Sequence, residues 1–200
     1  MKIGIHIQQH NSASVLPAYR HIERHAEQHS NIHIDNDLTR FNVHWVEPQG
    51  TYSAMYEEKL KNGQISEKGL KEGATKIETA LIDIKSTYFS NNYELAKEVY
   101  GKATESFMEL MGKENILSAV MHSDEIYTDE KTGQQYIHFH VHIDYIPTAH
   151  KVKRHSRATA KKDPSVYKRG IQGEIIYIEE YNRKKKQTER LPLTKVKEEY

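Results

Sequence analysis

Apolar and polar positions alternate from the first residues of the chain. "KIGIHIQ" places Ile3, Ile5 and Ile7 on one face and His6 on the other, the two-residue period of a half-buried strand. After the polar turn "QHNSAS" the spacing becomes helical in "LPAYRHIERHAEQ", with Pro17 in the first turn, where its fixed φ suits a helix start. The loop "HSNIHIDND" leads to "RFNVHWV" and, farther on, "KIETALIDI", both strand-like. Between them, from Glu47 to Gly73, the chain is polar and carries no assignable period. "NNYELAKEVYGKATESFMELMG" sets Leu95, Val99, Phe107, Leu110 and Met111 near helical spacing and stops at Gly112, a C-cap residue. "NILSAVMHSDEIYT" and "QYIHFHVHIDYIP" are then two adjacent strands joined through "DEKTGQ". Beyond about Thr148 the regularity fades, apart from a short strand in "GEIIYIEEY". The order predicts an α+β fold, an antiparallel β-sheet with helices mainly on one face, formed by residues 1–150, with an extension over 151–200.

Composition narrows the chemistry. With 200 residues the chain can bury one sizeable core, and with no cysteine any metal must sit on imidazole and carboxylate. A reducing cytoplasm is the simplest setting, since the N-terminus has no apolar signal region and no run approaches the roughly 18 apolar residues of a membrane span. The net charge of +1 conceals a division: residues 1–150 carry 14 Lys+Arg against 21 Asp+Glu, a balance of −7, and residues 151–200 carry 15 against 7, a balance of +8. Runs such as "HKVKRHSRATAKK", with Lys153 and Arg154, suit a polyanion, because each cation that neutralises a phosphate releases condensed counterions. A solvated tail has the same composition.

In "QYIHFHVHIDYIP", His138, His140 and His142 share one strand face, and Phe139, Val141 and Ile143 share the other. Imidazoles two residues apart on a strand are spaced to chelate a divalent metal. A three-residue turn of Lys131, Thr132 and Gly133 pairs Glu130 with Gln134, and this register sets His142 opposite His122, His140 opposite Asp124 and His138 opposite Ile126. His122, His140 and His142 then form one site of three imidazoles with open positions, the arrangement of a catalytic metal.

At these residues the chain resembles the relaxases of the MobV (Pre/Mob) plasmid mobilisation type, within the HUH endonucleases. The resemblance rests on "RHIERHAEQHSN" followed by "RFNV", on "ESFMELMGKENILSAVMHSDE", on "HVH", and on Pro147 five residues after His142, and it covers roughly residues 1–150. It departs from the family in a hairpin about ten residues longer, with Phe139 where the family has proline before its first histidine. The proline spacing and the hairpin register favour His140 with His142 over His138 with His140 as the chelating pair, leaving His138 to a supporting or DNA-facing role. The resemblance implies a DNA-nicking relaxase sandwich fold, a divalent cation such as Mn2+ or Mg2+, and an origin of transfer, single-stranded or extruded as a hairpin, as substrate.

It also implies that His21 is the nucleophile, leaving a 5′-phosphoryl enzyme, with Tyr19 the alternative. On a helix the two point about 200° apart, so one of them is structural. His21, Arg24 and His25 would share a helix face, bringing a phosphate-binding guanidinium beside the imidazole. Glu125 matches the acid of the family motif and takes or orients the nucleophile's proton, although strict alternation turns it away from Asp124. Asn31, Arg40 and Asn42 match family positions and are expected at the DNA, while the 13 tyrosines are individually expected in the core rather than against bases. No membrane contact is expected of this segment, and a dimer would form through a C-terminal region beyond it. A rolling-circle replication initiator shares the same chemistry. A non-catalytic DNA-binding regulator with a structural metal site, or a metal-binding protein without DNA function, is the alternative of another class.

Overall fold

The computed structural model describes residues 3–25, 31–67 and 70–150, with residues 149 and 150 by backbone only, together with the backbone of short strands at 167–169, 175–177 and 188–189. Contacts divide the chain into two compact units, Met1–Lys59 with Gly69–Pro147, and Leu60–Lys68 with Thr148–Tyr200. The first holds a five-stranded sheet of β1 (Ile3–His10), β2 (Val43–Val46), β3 (Ile77–Ile84), β4 (Ile116–His122) and β7 (His140–Tyr145), in the order β1-β3-β7-β4-β2. Every neighbouring pair is antiparallel. A separate ribbon pairs β5 (Ile126–Thr128) with β6 (Gln135–Ile137). Helices α1 (Val15–Ile22), α2 (Tyr52–Lys61), α3 (Ser86–Phe89) and α4 (Tyr93–Met111) complete the elements of the α+β fold that the pattern predicts. In the second unit β8 (Ala149–His150) pairs with β11 (Thr188–Glu189), and β9 (Tyr167–Arg169) with β10 (Ile175–Tyr177), the strand read in "GEIIYIEEY". No helix among the described residues is long and apolar enough to cross a membrane. Lys153, Arg154, His29 and the last residues of the expected first helix lie outside the described residues.

The apolar alternation decides which side of the sheet is filled. Ala80, Ile82 and Ile84 of β3, Ala119 and Met121 of β4, and Val141, Ile143 and Tyr145 of β7 form one core with Ala96, Tyr100 and Phe107 of α4. Asn92 caps α4 by accepting from the Leu95 amide at 3.0 Å. The Tyr100 hydroxyl ties helix to sheet, donating to the Phe139 carbonyl at 2.7 Å and accepting from the Ile84 amide at 3.0 Å. Phe139 is therefore a core residue, fully buried in that cluster. In β1 only Ile7 reaches the core; Ile3 and Ile5 are exposed, because this is the edge strand. The segment from Glu47 to Gly73, which showed no period, contains α2, an amphiphile so weak that only Tyr52 and Tyr56 are buried.

Candidate metal and catalytic site

The opposite face of the sheet carries the histidines, and the hairpin geometry differs from the three-residue turn read in the sequence. Asp129 accepts the Lys131 and Thr132 amides on its side chain and the Gly133 amide on its carbonyl at 2.8 Å, while its own amide donates to the Gln134 carbonyl at 2.9 Å. The cap enlarges the turn to four residues, closed by Gly133 at φ +69°. Farther in, Ile126 pairs with Ile137 but His122 with His140, so Ser123, Asp124 and Glu125 oppose only His138 and Phe139. That bulge corrects the predicted register: His140 lies opposite His122 rather than Asp124, and His142 opposite Val120 rather than His122. Instead of facing Ile126, His138 donates its amide to the Glu125 carbonyl at 2.7 Å. A slip of two residues preserves the face, so His122, His140 and His142 still converge. The bulge also answers the problem of Glu125, for both Asp124 and Glu125 now reach the same guanidinium.

Backbone carbonyls set the tautomers. His122 Nε2 donates to the Ile22 carbonyl at 2.8 Å and His140 Nδ1 to the His138 carbonyl at 2.9 Å, leaving His122 Nδ1 and His140 Nε2 as lone-pair nitrogens 3.2 Å apart. Two nitrogens about 2.1 Å from a shared ion and 90–110° apart lie about 3.0–3.4 Å from each other, so the pair has the spacing of two ligands. His142 Nδ1 is buried with no hydrogen-bond partner, and the ligand atoms of the three imidazoles all lie within 4.8 Å of one another. Burial holds His122 and His142 far below the usual imidazole range, reinforced by the charge of neighbouring histidines, His21 among them, and of Arg24. His140 is lowered by burial too, against the opposing pull of Glu125. Neutral imidazoles are what a divalent cation needs. The donor set fits a divalent metal, with the 3.0 Å hydrogen bond from Arg24 Nη2 to His122 Nδ1 giving way to it.

Beside the triad, Arg24 organises the acids. Its Nε and Nη2 donate to the two oxygens of Asp124 at 2.9 and 2.7 Å, Nη2 also reaches Glu125 Oε1 and His122 Nδ1 at 3.0 Å, and Nη1 binds the His21 carbonyl at 3.0 Å. Burial opposes the charge on Asp124, but the guanidinium and the Asn42 and Thr39 hydrogen bonds outweigh it and hold the carboxyl below its usual range. Thr39 Oγ1 and Asn42 Nδ2 donate to Asp124 Oδ2 at 3.0 and 2.8 Å, leaving that carboxylate committed on every side. Glu125 Oε1 also lies 3.8 Å from His140 Nε2.

These contacts revise three expectations. Helix α1 ends at Ile22 and Arg24 takes a left-handed conformation, φ +55°, so His21, Arg24 and His25 share no helix face. The guanidinium is enclosed by Asp124 and Glu125 rather than offered to a phosphate. Asn42, expected at the DNA, spends its Oδ1 on the Ser123 amide at 2.7 Å and its Nδ2 on Asp124, fixing the bulge from below. Arg40 is exposed over the Phe41 ring, and Asn31 closes a local turn onto the His33 amide at 3.0 Å. The two candidate nucleophiles part company: His21 acts electrostatically on His122 and His142, whereas the Tyr19 ring packs on His25 and Tyr52 with centroids 5.2 and 5.0 Å away. The His138 ring is held by Ser86 Oγ at 2.9 Å.

Sequence reading missed a buried polar network on the same face. Glu23 accepts from Tyr52, from Ser118 Oγ at 2.6 Å and from His44 Nε2 at 2.8 Å; with its one proton on Glu23, the Tyr52 oxygen accepts from protonated Asp144 Oδ2 at 2.8 Å, and Thr79 links Asp144 to His10 Nε2. Burial opposes the charge on Glu23, yet these donors keep it below the usual carboxylate range. The only signal in the sequence was Asp144, an acid in the middle of an apolar strand. Glu23→Ala leaves three donors without their acceptor and is expected to cost about 3 kcal/mol of stability in urea unfolding, with Glu23→Gln losing clearly less.

Burial pushes Asp144 up to about 7, against the hydrogen bonds of Thr79 and Tyr52. The folded state therefore holds a proton that the unfolded chain, with an ordinary pKa near 3.9, has released. Its contribution is complete below about pH 4, is lost as pH rises from there towards 7, and is flat above. Asp144→Asn is expected to gain stability relative to the parent between pH 5 and pH 8, read as the difference in urea midpoints at the two pH values.

The Mob_Pre family, described as plasmid recombination enzyme, matches residues 2–190. The chain belongs to that family. Its fold is that of the MobM relaxase domain (MOBV; Mob_Pre). A Mn-bound crystal structure of that domain on plasmid pMV158 oriT DNA, at pH 6.8, is 20% identical with a TM-score of 0.63, covering 80% of this chain and 76% of that one. A second Mn-bound structure, with a 23-nucleotide oriT DNA, is 17% identical with a TM-score of 0.58 over 82% and 81% of the two chains. A third, on a 26-nucleotide oriT DNA, is 16% identical with a TM-score of 0.51. No curated protein sequence matches. The family membership agrees with the resemblance carried by "RHIERH", "MHSDE" and "HVH".

Proposed function

We propose that this Mob_Pre protein is a metal-dependent relaxase that nicks one strand at an origin of transfer and keeps the 5′ end as a covalent phosphoryl enzyme. The observation that carries the reading is the pair of lone-pair nitrogens, His122 Nδ1 and His140 Nε2, 3.2 Å apart beside the orphaned His142 Nδ1, with the His21 segment joined to them through Arg24 and the Ile22 carbonyl. His122, His140 and His142 would hold the cation, Mn2+ or Mg2+, which neutralises charge on the non-bridging oxygens of the scissile phosphate. His21 is the nucleophile: an imidazole nitrogen bonds to phosphorus, the bond from phosphorus to the 3′-oxygen breaks, and the proton given up by the imidazole ends on the departing 3′-hydroxyl. Glu125, tied to the same guanidinium as the His21 carbonyl, is the carboxylate that relays or orients this proton. Rejoining reverses the sequence, since the bond energy is retained. The Mn-bound, oriT-bound MobM structures support both the cation and the DNA.

Incubation with a supercoiled plasmid carrying the cognate origin should convert it to open circle with Mn2+ or Mg2+ and not with excess chelator. Equal conversion of a plasmid lacking the origin contradicts a site-specific relaxase. The basic residues beyond His150 are expected to contact phosphates, so truncation there should flatten the dependence of DNA binding on salt concentration.

A further inference from the structure

We propose that Tyr127 and Tyr136 form a base-stacking platform on the β5–β6 ribbon that receives single-stranded DNA next to the metal-binding histidines; it rests on the relaxase reading. Nine tyrosines have described side chains, and seven of them are engaged. Tyr52, Tyr93, Tyr100 and Tyr145 place their hydroxyls on hydrogen-bond partners, Tyr19 and Tyr88 pack against neighbouring rings, and Tyr56 lies under Lys76. Among the described residues Tyr127 and Tyr136 alone have neither a ring contact nor a hydroxyl hydrogen bond, yet they face each other directly across the ribbon. Tyr127 is 38% exposed.

The direction of the pair follows from its neighbours. Ile137 packs on the core with Phe139 and Val141, so Tyr136, one residue earlier on the strand, points to the other side, which is the side of His138, His140 and His142. Tyr127 shares that side by register. Four residue steps lead from Tyr136 to His140, about 13 Å of extended chain, or roughly four stacked nucleotides from a phosphate at the metal. The ribbon is braced rather than loose: Asn91 accepts the Ile137 amide at 2.7 Å and donates to the Gln135 carbonyl at 3.4 Å, and the Ile126 amide donates to the His33 carbonyl at 2.9 Å. Two aromatic rings without a partner among the described residues, on a braced ribbon and on the histidine side by register, suit unpaired bases, whose π faces stack irrespective of sequence.

Fluorescence anisotropy of the full chain with a labelled dT20 oligonucleotide tests the platform. Tyr127→Ala and Tyr136→Ala should each weaken binding about five-fold or more, while Tyr127→Phe and Tyr136→Phe bind as the parent does. Mn2+ affinity, measured in the same variants, should be unchanged, which shows the neighbouring site still folded. Alanine variants that bind dT20 like the parent overturn the platform, as do phenylalanine variants as weak as the alanine ones. An enzyme that forms its covalent adduct while the alanine variants bind normally leaves the relaxase reading standing without the platform. The reverse outcome, tyrosine-dependent binding without any adduct, keeps the platform and removes the relaxase.

Discussion

His140→Ala is expected to reduce metal-dependent nicking by at least about 10²–10³-fold while DNA binding falls only a few-fold. The asymmetry follows from what His140 touches. Its Nε2 is one of the two facing lone-pair nitrogens, and its Nδ1 is locked onto the His138 carbonyl, so no other atom can replace it. Affinity for the strand, by contrast, comes from phosphate contacts spread along the DNA. His122→Ala should behave alike, with an added cost in stability, because His122 is fully buried and fixes the Ile22 carbonyl at the end of α1. Supercoiled-plasmid conversion and anisotropy in parallel measure the two quantities. A His140→Ala variant that nicks at the parental rate removes this metal site from the reaction.

The second large effect concerns the nucleophile. His21→Ala should abolish the covalent adduct, and Tyr19→Phe should leave it. Tyr19→Phe keeps the ring that packs on His25 and Tyr52 and removes only the hydroxyl, whose ionisation is already disfavoured by burial and by the charge of Glu23. A phenol held in that state is a poor nucleophile. The His21 carbonyl is held at 3.0 Å by Arg24, whose guanidinium also reaches His122 Nδ1 at 3.0 Å, so the His21 segment is tied to the histidine cluster while the Tyr19 ring is tied to His25 and Tyr52. Loss of adduct in Tyr19→Phe with retention in His21→Ala would exchange their roles.

The face of each strand was legible from period alone: the alternation of His138, His140 and His142 with Phe139, Val141 and Ile143 survives in the structure because only one side of the sheet can be filled with α4. Register was not legible. It is fixed by the Asp129 cap and by the bulge at Ser123, Asp124 and Glu125, which Asn42 holds from 81 residues away. The end of α1 was hidden for the same reason. No glycine or proline stops it after Ile22. The guanidinium of Arg24 is drawn to Asp124, 100 residues on, and the backbone turns left-handed to let it reach. Glu23 likewise finds Ser118 across 95 residues and Tyr52 across 29, pairings that no local window contains. Composition brought the site's residue types to notice; long-range hydrogen bonds decided which of them became supports.

Mapping the covalent adduct identifies the nucleophile and its dependence on the histidine cluster. Protein reacted with origin-bearing plasmid and Mn2+ is digested with nuclease and protease, and the phosphorylated peptide is sequenced before and after mild acid. The expected result is a nucleotide on the peptide containing His21, linked through its 5′-phosphate, lost in acid, and absent from His140→Ala. An acid-stable adduct on Tyr19 removes His21 as the nucleophile, and no adduct with either Mn2+ or Mg2+ removes the relaxase chemistry.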